Sequence, residues 1–77
     1  MEVKLPELAE GVNEATISFW QKKEGDNVTE GEDLVEMVTD KAVFNLPAPT
    51  SGNLVKIIAQ DGEVIKVGEV LAIIEAS

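Results

Sequence analysis

Apolar residues recur along the chain in short runs that are separated by Gly, Pro, Asp and Asn. No stretch keeps the i, i+3, i+4, i+7 spacing of an amphipathic helix, whereas short apolar runs bounded by turn residues are typical of β-strands. The pattern therefore predicts an all-β protein. Strands are expected near residues 3–5, 16–20, 33–39, 42–46, 53–58 and 70–75, with shorter pieces at 27–28 and 64–65.

Two of the predicted strands alternate clearly enough to indicate which side chains share a face. In the second predicted strand, the two-residue period places Ile17 and Phe19 on one face. In the strand that spans residues 42–46, the same period places Phe44 and Leu46 opposite Asn45. The three aromatic side chains of the protein are interpreted as packing groups.

The chain contains an internal repeat, because residues 17–37 align with residues 54–74 at an offset of 37 without a gap. Two copies of a strand, turn, short strand, turn and strand unit are implied, each too small to bury its own apolar face. We expect them to pack across a pseudo-twofold axis as a flattened β-barrel or sandwich of two antiparallel sheets. The glycines at matched positions fit tight turns with positive φ: Gly25 with Gly62, and Gly31 with Gly68.

The repeat makes the segment Thr-Asp-Lys-Ala at residues 39–42 stand out. It joins the first copy to the next strand, whereas its counterpart 37 residues later falls at and just beyond Ser77. Lys41 is therefore expected at the apex of a hairpin at one pole, with both chain termini at the other. A lysine presented in this way can be reached by other proteins, although a hairpin tip is also a natural place for an ordinary solvated lysine.

Composition narrows the function. With 77 residues, 6 Lys and 15 Asp plus Glu, the net charge is −9 and a single domain, residues 1–77, is expected. The absence of Cys and His excludes disulfides, a thiolate nucleophile, the usual zinc ligands and the usual general base. The acidic balance argues against nucleic acid or an anionic membrane as the partner and favours a protein with a basic docking face.

Neither a membrane segment nor a metal site is predicted. No apolar run approaches the roughly 20 residues that span a bilayer, and the N-terminus lacks a signal-peptide pattern, so we expect a soluble intracellular protein. The acidic cluster of Glu30, Glu32 and Asp33 does not have the spacing of a calcium-binding loop. It is interpreted as a solvated face.

Several short motifs follow one another in an order that resembles the lipoyl domains of 2-oxo acid dehydrogenase complexes. The likeness covers essentially the whole chain, and the order and spacing of the motifs are more specific than any single one. The closest resemblance is to the lipoyl domain of the dihydrolipoamide acyltransferase (E2) component. The motifs are Leu-Pro-Glu-Leu at 5–8, Glu-Gly-Val-Asn-Glu-Ala-Thr-Ile at 10–17, Lys-Glu-Gly-Asp at 23–26, Thr-Asp-Lys-Ala at 39–42, Pro-Ala-Pro at 47–49 and Gly52.

The resemblance assigns a role to the hairpin lysine. In this family the lysine of the Asp-Lys-Ala turn carries lipoic acid in amide linkage, and by matching motif that covalent attachment falls on Lys41 as N6-lipoyllysine. Thr39, Asp40 and Ala42 would form the turn that the modifying enzyme recognises. An ε-amine on a four-carbon stem at a protruding turn suits this chemistry, because it can be acylated and then carries a long flexible arm.

The resemblance also implies a docking loop beside this lysine. In the family the loop at residues 7–15 runs alongside the lipoyl-lysine turn. Contacts with the decarboxylase are therefore expected at Glu10, Gly11, Val12 and Glu14; a plain solvated loop is the alternative interpretation.

The implied function is that of a carrier and not of an enzyme. The lipoyl arm would accept an acyl group from a thiamine-diphosphate-dependent 2-oxo acid decarboxylase (E1), in a pyruvate or branched-chain complex. It would pass that group to the acyltransferase core (E2) for transfer to coenzyme A, and dihydrolipoyl dehydrogenase (E3) would reoxidise it. A lipoate ligase or lipoyl transferase would attach the arm. The domain is expected to be a monomer, excised from a longer acyltransferase of the bacterial or archaeal cytoplasm or the mitochondrial matrix.

Two alternatives stay open. Biotinyl carrier domains of carboxylases have the same architecture and also modify a hairpin lysine, but methionines characteristically flank that lysine. Here the flanking residues are Asp40 and Ala42, which favours a lipoyl domain. The second alternative is an unmodified β-sandwich interaction module in which Lys41 is ordinary surface charge.

Overall fold

The computed structural model describes residues 1–76 of the chain; Ser77, the last residue of the predicted domain 1–77, lies outside the described residues. Every regular element in this range is a β-strand, so the all-β prediction is confirmed. None of these residues forms a helix long and apolar enough to cross a membrane. The strands are β1 (Glu2–Lys4), β2 (Glu14–Trp20), β3 (Asn27–Val28), β4 (Asp33–Val38), β5 (Val43–Pro47), β6 (Gly52–Ile57), β7 (Val64–Lys66) and β8 (Val70–Ala76).

The strands form two antiparallel sheets of four strands each. One sheet has the order β1-β8-β6-β3 and the other the order β5-β4-β2-β7. The sheets face each other as a sandwich and do not close into a barrel, so the sandwich form of the predicted architecture is the one observed.

The predicted pseudo-twofold repeat is present in the topology and in the turns. The first copy contains β2, β3 and β4, and the second contains β6, β7 and β8. The short strand of each copy pairs with a long strand of the other copy, β3 with β6 and β7 with β2. The turns that precede the short strands make matched hydrogen bonds, because the Gly25 N–H donates to the Leu54 carbonyl and the Gly62 N–H to the Ile17 carbonyl, both at 2.7 Å. The φ angles of these two glycines are 94° and 88°, as the turn prediction requires.

The core lies between the two sheets and draws on both copies of the repeat. Among the described residues it contains no buried polar or charged side chain. Its largest fully buried members are Leu5, Ile17, Leu34, Val35, Met37, Leu54, Leu71 and Ile74. Burial of this apolar surface is the main stabilising contribution in a domain of this size.

One facing prediction is wrong. Ile17 is buried, with 1% of its surface exposed, whereas Phe19 is 44% exposed. The pairing with β4 shifts register between these two residues, since Ile17 lies opposite Met37 and Phe19 lies opposite Glu36. The additional residue in β2 is a β-bulge, and it reverses the alternation of every side chain that follows it in the strand.

The other facing prediction is confirmed. In β5, Leu46 is buried and Phe44 is half-buried, whereas Asn45 between them is exposed. Trp20 is half-buried against the core, and its indole N–H donates to the Ala59 carbonyl at 2.7 Å. Packing against the core is therefore the role of Trp20, whereas Phe19 is exposed and a packing role for the half-buried Phe44 stays a prediction.

The hairpin with the candidate lysine and the chain termini lie at opposite ends of the sandwich. β2 begins beside the end of β4, and β6 begins beside the end of β8. Because the turn after β6 returns to the first half of β2, where Gly62 meets Ile17, the strands β2 and β6 begin at opposite ends. Lys41 therefore lies at one end, called here the lysine pole. Met1 and Ala76 lie at the other, called the terminal pole.

We expect Gly52→Ala to destabilise the fold much more than Gly25→Ala. A Cβ on Gly52 would lie 2.1 Å from the Glu75 carbonyl oxygen, which is backbone and cannot move aside. Gly25 has a φ of +94° but nothing within 4 Å of an added Cβ, so its variant tests backbone strain alone. Urea denaturation should show a loss above about 3 kcal/mol for Gly52→Ala and about 1 kcal/mol for Gly25→Ala. Equal losses would contradict the steric explanation.

Candidate functional site

The lysine pole is formed by the tight hairpin between β4 and β5. The last pair of the ladder is Val38 with Val43, and the Thr39 N–H donates to the Ala42 carbonyl at 2.9 Å. The Thr39 hydroxyl oxygen accepts the N–H groups of Lys41 (3.2 Å) and Ala42 (3.1 Å). These bonds hold the turn through Thr39, which is half-buried, and leave the side chains of the next three residues exposed.

The Lys41 side chain reaches the connection between β1 and β2. Its Nζ donates a hydrogen bond of 2.8 Å to the Glu10 carbonyl. Gly11, which follows, has a φ of +81°, and a Cβ at this position would lie 3.1 Å from the same Nζ. The structure therefore brings the predicted modification residue and the predicted docking loop together, and a side chain at position 11 would crowd the amine.

The four predicted docking residues are not equally accessible. Glu10, Gly11 and Glu14 are exposed. Val12 is buried, with 4% of its surface exposed, and its N–H donates to the Ala9 carbonyl at 3.0 Å. The Val12 side chain is therefore buried and not presented to a partner.

A groove separates this loop from the hairpin. It is lined by residues 11–16, residues 38–40 and Val64, and we refer to it as the lysine-pole groove. The sequence reasoning did not single out Val38, Thr16 or Val64. A comparison of positions 37 residues apart would have pointed to the two valines, because the residue that matches Val38 is Glu75 and the residue that matches Val64 is Asn27.

Within the acidic cluster at residues 30–33, Glu30 and Asp33 are exposed, whereas the Glu32 carboxylate makes structural contacts. The Glu32 carboxylate accepts the Thr29 N–H at 2.7 Å and lies 3.3 Å from the Lys22 Nζ. The hydrogen bond from Thr29, together with the Lys22 ammonium, lowers the pKa of Glu32 from that of an ordinary glutamate. Across residues 1–76, no group of His, Cys, Asp or Glu side chains is arranged to hold a metal ion.

The chemistry available at the lysine pole is thus that of an exposed amine on a fixed turn. The carboxylates nearby are solvated, and the turn itself offers no enclosed pocket. An exposed amine in this position can be reached and modified by another protein.

Comparison with known proteins identifies the family. The family model described as "Biotin-requiring enzyme", which covers biotin and lipoyl attachment domains, matches residues 1–74, and the chain belongs to this family. A solved structure of the lipoyl domain of the 2-oxoglutarate dehydrogenase complex from Azotobacter vinelandii superimposes with a TM-score of 0.78 at 29% identity. The match covers 100% of this chain and 99% of that one. The resemblance to lipoyl domains is confirmed.

Curated relatives are much longer proteins. The chain is 43% identical over 75 residues to the dihydrolipoyllysine-residue succinyltransferase component of the 2-oxoglutarate dehydrogenase complex of Bartonella vinsonii subsp. berkhoffii. It is 44% identical over 73 residues to the dihydrolipoyllysine-residue acetyltransferase component of the pyruvate dehydrogenase complex of Acholeplasma laidlawii. The matches cover 97% and 95% of this chain but only 18% and 13% of the relatives, so the chain spans less than a fifth of their length.

The same fold occurs in a carboxylase. A single-chain, multi-domain long-chain acyl-CoA carboxylase matches with a TM-score of 0.78 at 21% identity, covering 100% of this chain and 7% of that one. This likeness concerns the fold alone. The sandwich is therefore shared by proteins of different function, and the function must be argued from the lysine pole.

We expect Glu32→Gln to lower stability at neutral pH and to have a smaller effect in acid. Because the folded-state pKa is lowered, ionised Glu32 stabilises the fold above its unfolded-state pKa of about 4.3. That contribution is lost as the pH falls through the folded-state value. Thermal melts of both proteins at pH 7 and pH 2.5 measure the difference. Glu69→Gln, at the matched position of the repeat, is the control, and a pH-independent difference for Glu32→Gln would contradict the prediction.

Proposed function

We propose that this chain is a lipoyl carrier domain in which Lys41 bears lipoic acid in amide linkage. The observation that carries the proposal is the position of Lys41. It is exposed at the tip of a hairpin whose turn is held by Thr39, and its Nζ donates a hydrogen bond to the Glu10 carbonyl of the neighbouring loop. The family to which the chain belongs supports the same assignment.

The residues around Lys41 fit an amide at this position. A secondary amide keeps one N–H, so the hydrogen bond that Nζ donates to the Glu10 carbonyl can be retained after acylation. Gly11 leaves room for the modified nitrogen because it has no side chain. When attached, the lipoyl group supplies a redox-active disulfide and a sulfur that carries the acyl group.

The domain itself contributes presentation and recognition. Thr39 fixes the turn through its hydroxyl, and Asp40 and Ala42 provide the exposed flanks that a lipoate ligase or lipoyl transferase reads. The exposed carboxylates of Glu10 and Glu14 stand beside the lysine and are proposed to contact the decarboxylase. A tethered arm raises the effective concentration of the carried group at each site that it visits.

The relatives support a carrier role within a larger assembly. We propose that the chain is the carrier part of a dihydrolipoamide acyltransferase, with a 2-oxo acid decarboxylase, the acyltransferase core and dihydrolipoyl dehydrogenase as partners. The relatives belong to 2-oxoglutarate and pyruvate complexes alike. A pyruvate or branched-chain complex stays a prediction, and the isolated domain is proposed to be a non-catalytic monomer.

A biotinyl carrier domain is the second candidate, and the fold shared with an acyl-CoA carboxylase is the observation in its favour. The residues that flank Lys41 argue against it, because they are Asp40 and Ala42 and not methionines.

We expect the domain to gain one lipoyl group, on Lys41, when it is incubated with a lipoate ligase, lipoate and ATP. Intact mass followed by fragment mapping measures the increment, and Lys41→Arg is the control that keeps the charge but should remain unmodified. A parallel reaction with a biotin ligase and biotin should give no increment. A biotinyl increment would instead identify the chain as a biotinyl carrier domain of a carboxylase. No increment in either reaction would favour the unmodified interaction module.

We expect Lys41→Ala to change the free energy of unfolding by less than about 0.5 kcal/mol, because the side chain is exposed. The same variant should lose acyl transfer completely while its thermal melt is unchanged. A large loss of stability would show that the contact between Lys41 and Glu10 holds the loop in the fold, contrary to the carrier role.

A further inference from the structure

An apolar row crosses the outer face of one sheet directly below the lysine turn. Val38 lies opposite Val43 in the ladder between β4 and β5. Thr16 lies opposite Val38 on one side and opposite Val64 on the other. Residues directly opposite one another in a sheet project to the same face, so these four form one continuous row, which we call the apolar row. With interstrand spacings of about 4.8 Å, it is roughly 14 Å wide.

The valines of this row are exposed although they are apolar. Val43 is 57% exposed, Val64 55% and Val38 40%. Their neighbours along the strands, Met37 and Ile65, are buried, which shows that the row faces outward. Scattered exposed valines are ordinary, but three in one register beside a candidate modification site form a surface that a partner can cover.

The internal repeat shows that the fold does not require these apolar side chains. When the offset of 37 is extended by one residue at each end of the repeat, the positions that match Val38, Thr16 and Val64 are Glu75, Asn53 and Asn27, at the terminal pole. These residues pair in the same geometry, Asn53 with Glu75 and Asn27 with Asn53. The same architecture is thus built with polar residues at one pole and largely apolar residues at the other. The difference coincides with the presence of Lys41.

The size of a protein contact explains why a surface is needed here. A specific protein interface buries about 500 Å² or more on each partner, which is about one ninth of the 4427 Å² surface of this domain. Four turn residues cannot supply that area. An enzyme that binds Lys41 must therefore also contact surface beside the turn. The apolar row adjoins the turn through Val38 and Val43.

The charges around the row indicate the chemistry of the partner. Glu14 and Glu36 lie two residues from Thr16 and Val38 along their strands, and Asp40 lies in the adjoining turn. Lys66, opposite Glu14, is the basic residue at this border, and the chain as a whole has a net charge of −9. We propose that the apolar row is the surface on which the enzyme that acylates Lys41 docks, through an apolar strip bordered by basic side chains. This proposal rests on the proposed function, since it concerns the enzyme that modifies the same lysine.

The test is the rate of lipoate attachment to the double variant Val38→Thr/Val64→Thr. Threonine keeps the β-branched shape that suits a strand but replaces one methyl group of each valine with a polar hydroxyl, as already present at Thr16. We expect kcat/KM for the domain to fall at least about fivefold with kcat within about twofold, because the row acts in binding. Val55→Thr, at a residue that is 48% exposed on the other sheet, is the control and should stay within about twofold of the wild type.

The outcomes separate this proposal from the proposed function. A wild-type domain that takes up no lipoate overturns both. A wild type that is lipoylated, with a double variant that reacts at the same kcat/KM, overturns the docking surface alone. A fall in kcat without a rise in KM also overturns it. The docking surface is also overturned if the double variant is lipoylated normally but its lipoyl group is acylated more slowly by a 2-oxo acid decarboxylase. The row would then bind the decarboxylase and not the lipoylating enzyme. Thermal melts confirm that the variants are folded.

Discussion

The exchange of short strands between the two copies of the repeat is the constraint on which the rest of the structure depends. Neither copy of this 77-residue chain is large enough to enclose its own apolar face. β3 pairs with β6 and β7 pairs with β2, so each sheet is completed by a piece of the other copy. Gly25 and Gly62 permit the two turns that send these pieces across. Core burial is therefore a joint property of the copies, and neither half has an independent fold.

This symmetry also determines where the fold is free to vary. Hydrogen bonds and buried residues recur in both copies, so sequence differences between matched outer positions are not imposed by the core. The two poles differ most, because one ends in a closed hairpin and the other in the chain termini. A nearly symmetric scaffold thus carries one functional end, and the contrast between its poles separates residues that serve the fold from residues that serve a partner.

Much of the architecture could be predicted from local pattern. The strand positions followed from apolar runs and turn residues, and the pairing of the copies followed from the alignment of Gly25 with Gly62. The fate of Phe19 could not be predicted, because a β-bulge depends on pairing with β4 and leaves no mark in the alternation itself. The burial of Val12 was missed for a similar reason, since a loop residue is buried by tertiary contacts. The hairpin of Lys41 was predictable from the repeat. Its hydrogen bond to the Glu10 carbonyl was not, because it joins residues 31 positions apart that only the tertiary fold brings together.

The central position of β8 has a mechanical consequence. β8 pairs with β1 on one side and with β6 on the other, and Ala76 is at its end. A pull applied at Ala76 along the strand is shared by two hydrogen-bonded ladders, which must shear together instead of opening one bond at a time. At this end, Gly52 packs closely against the backbone of Glu75 and Ala76. Force entering at the terminal pole therefore acts first on the sheet β1-β8-β6-β3, while the hairpin of Lys41 belongs to the other sheet at the far end.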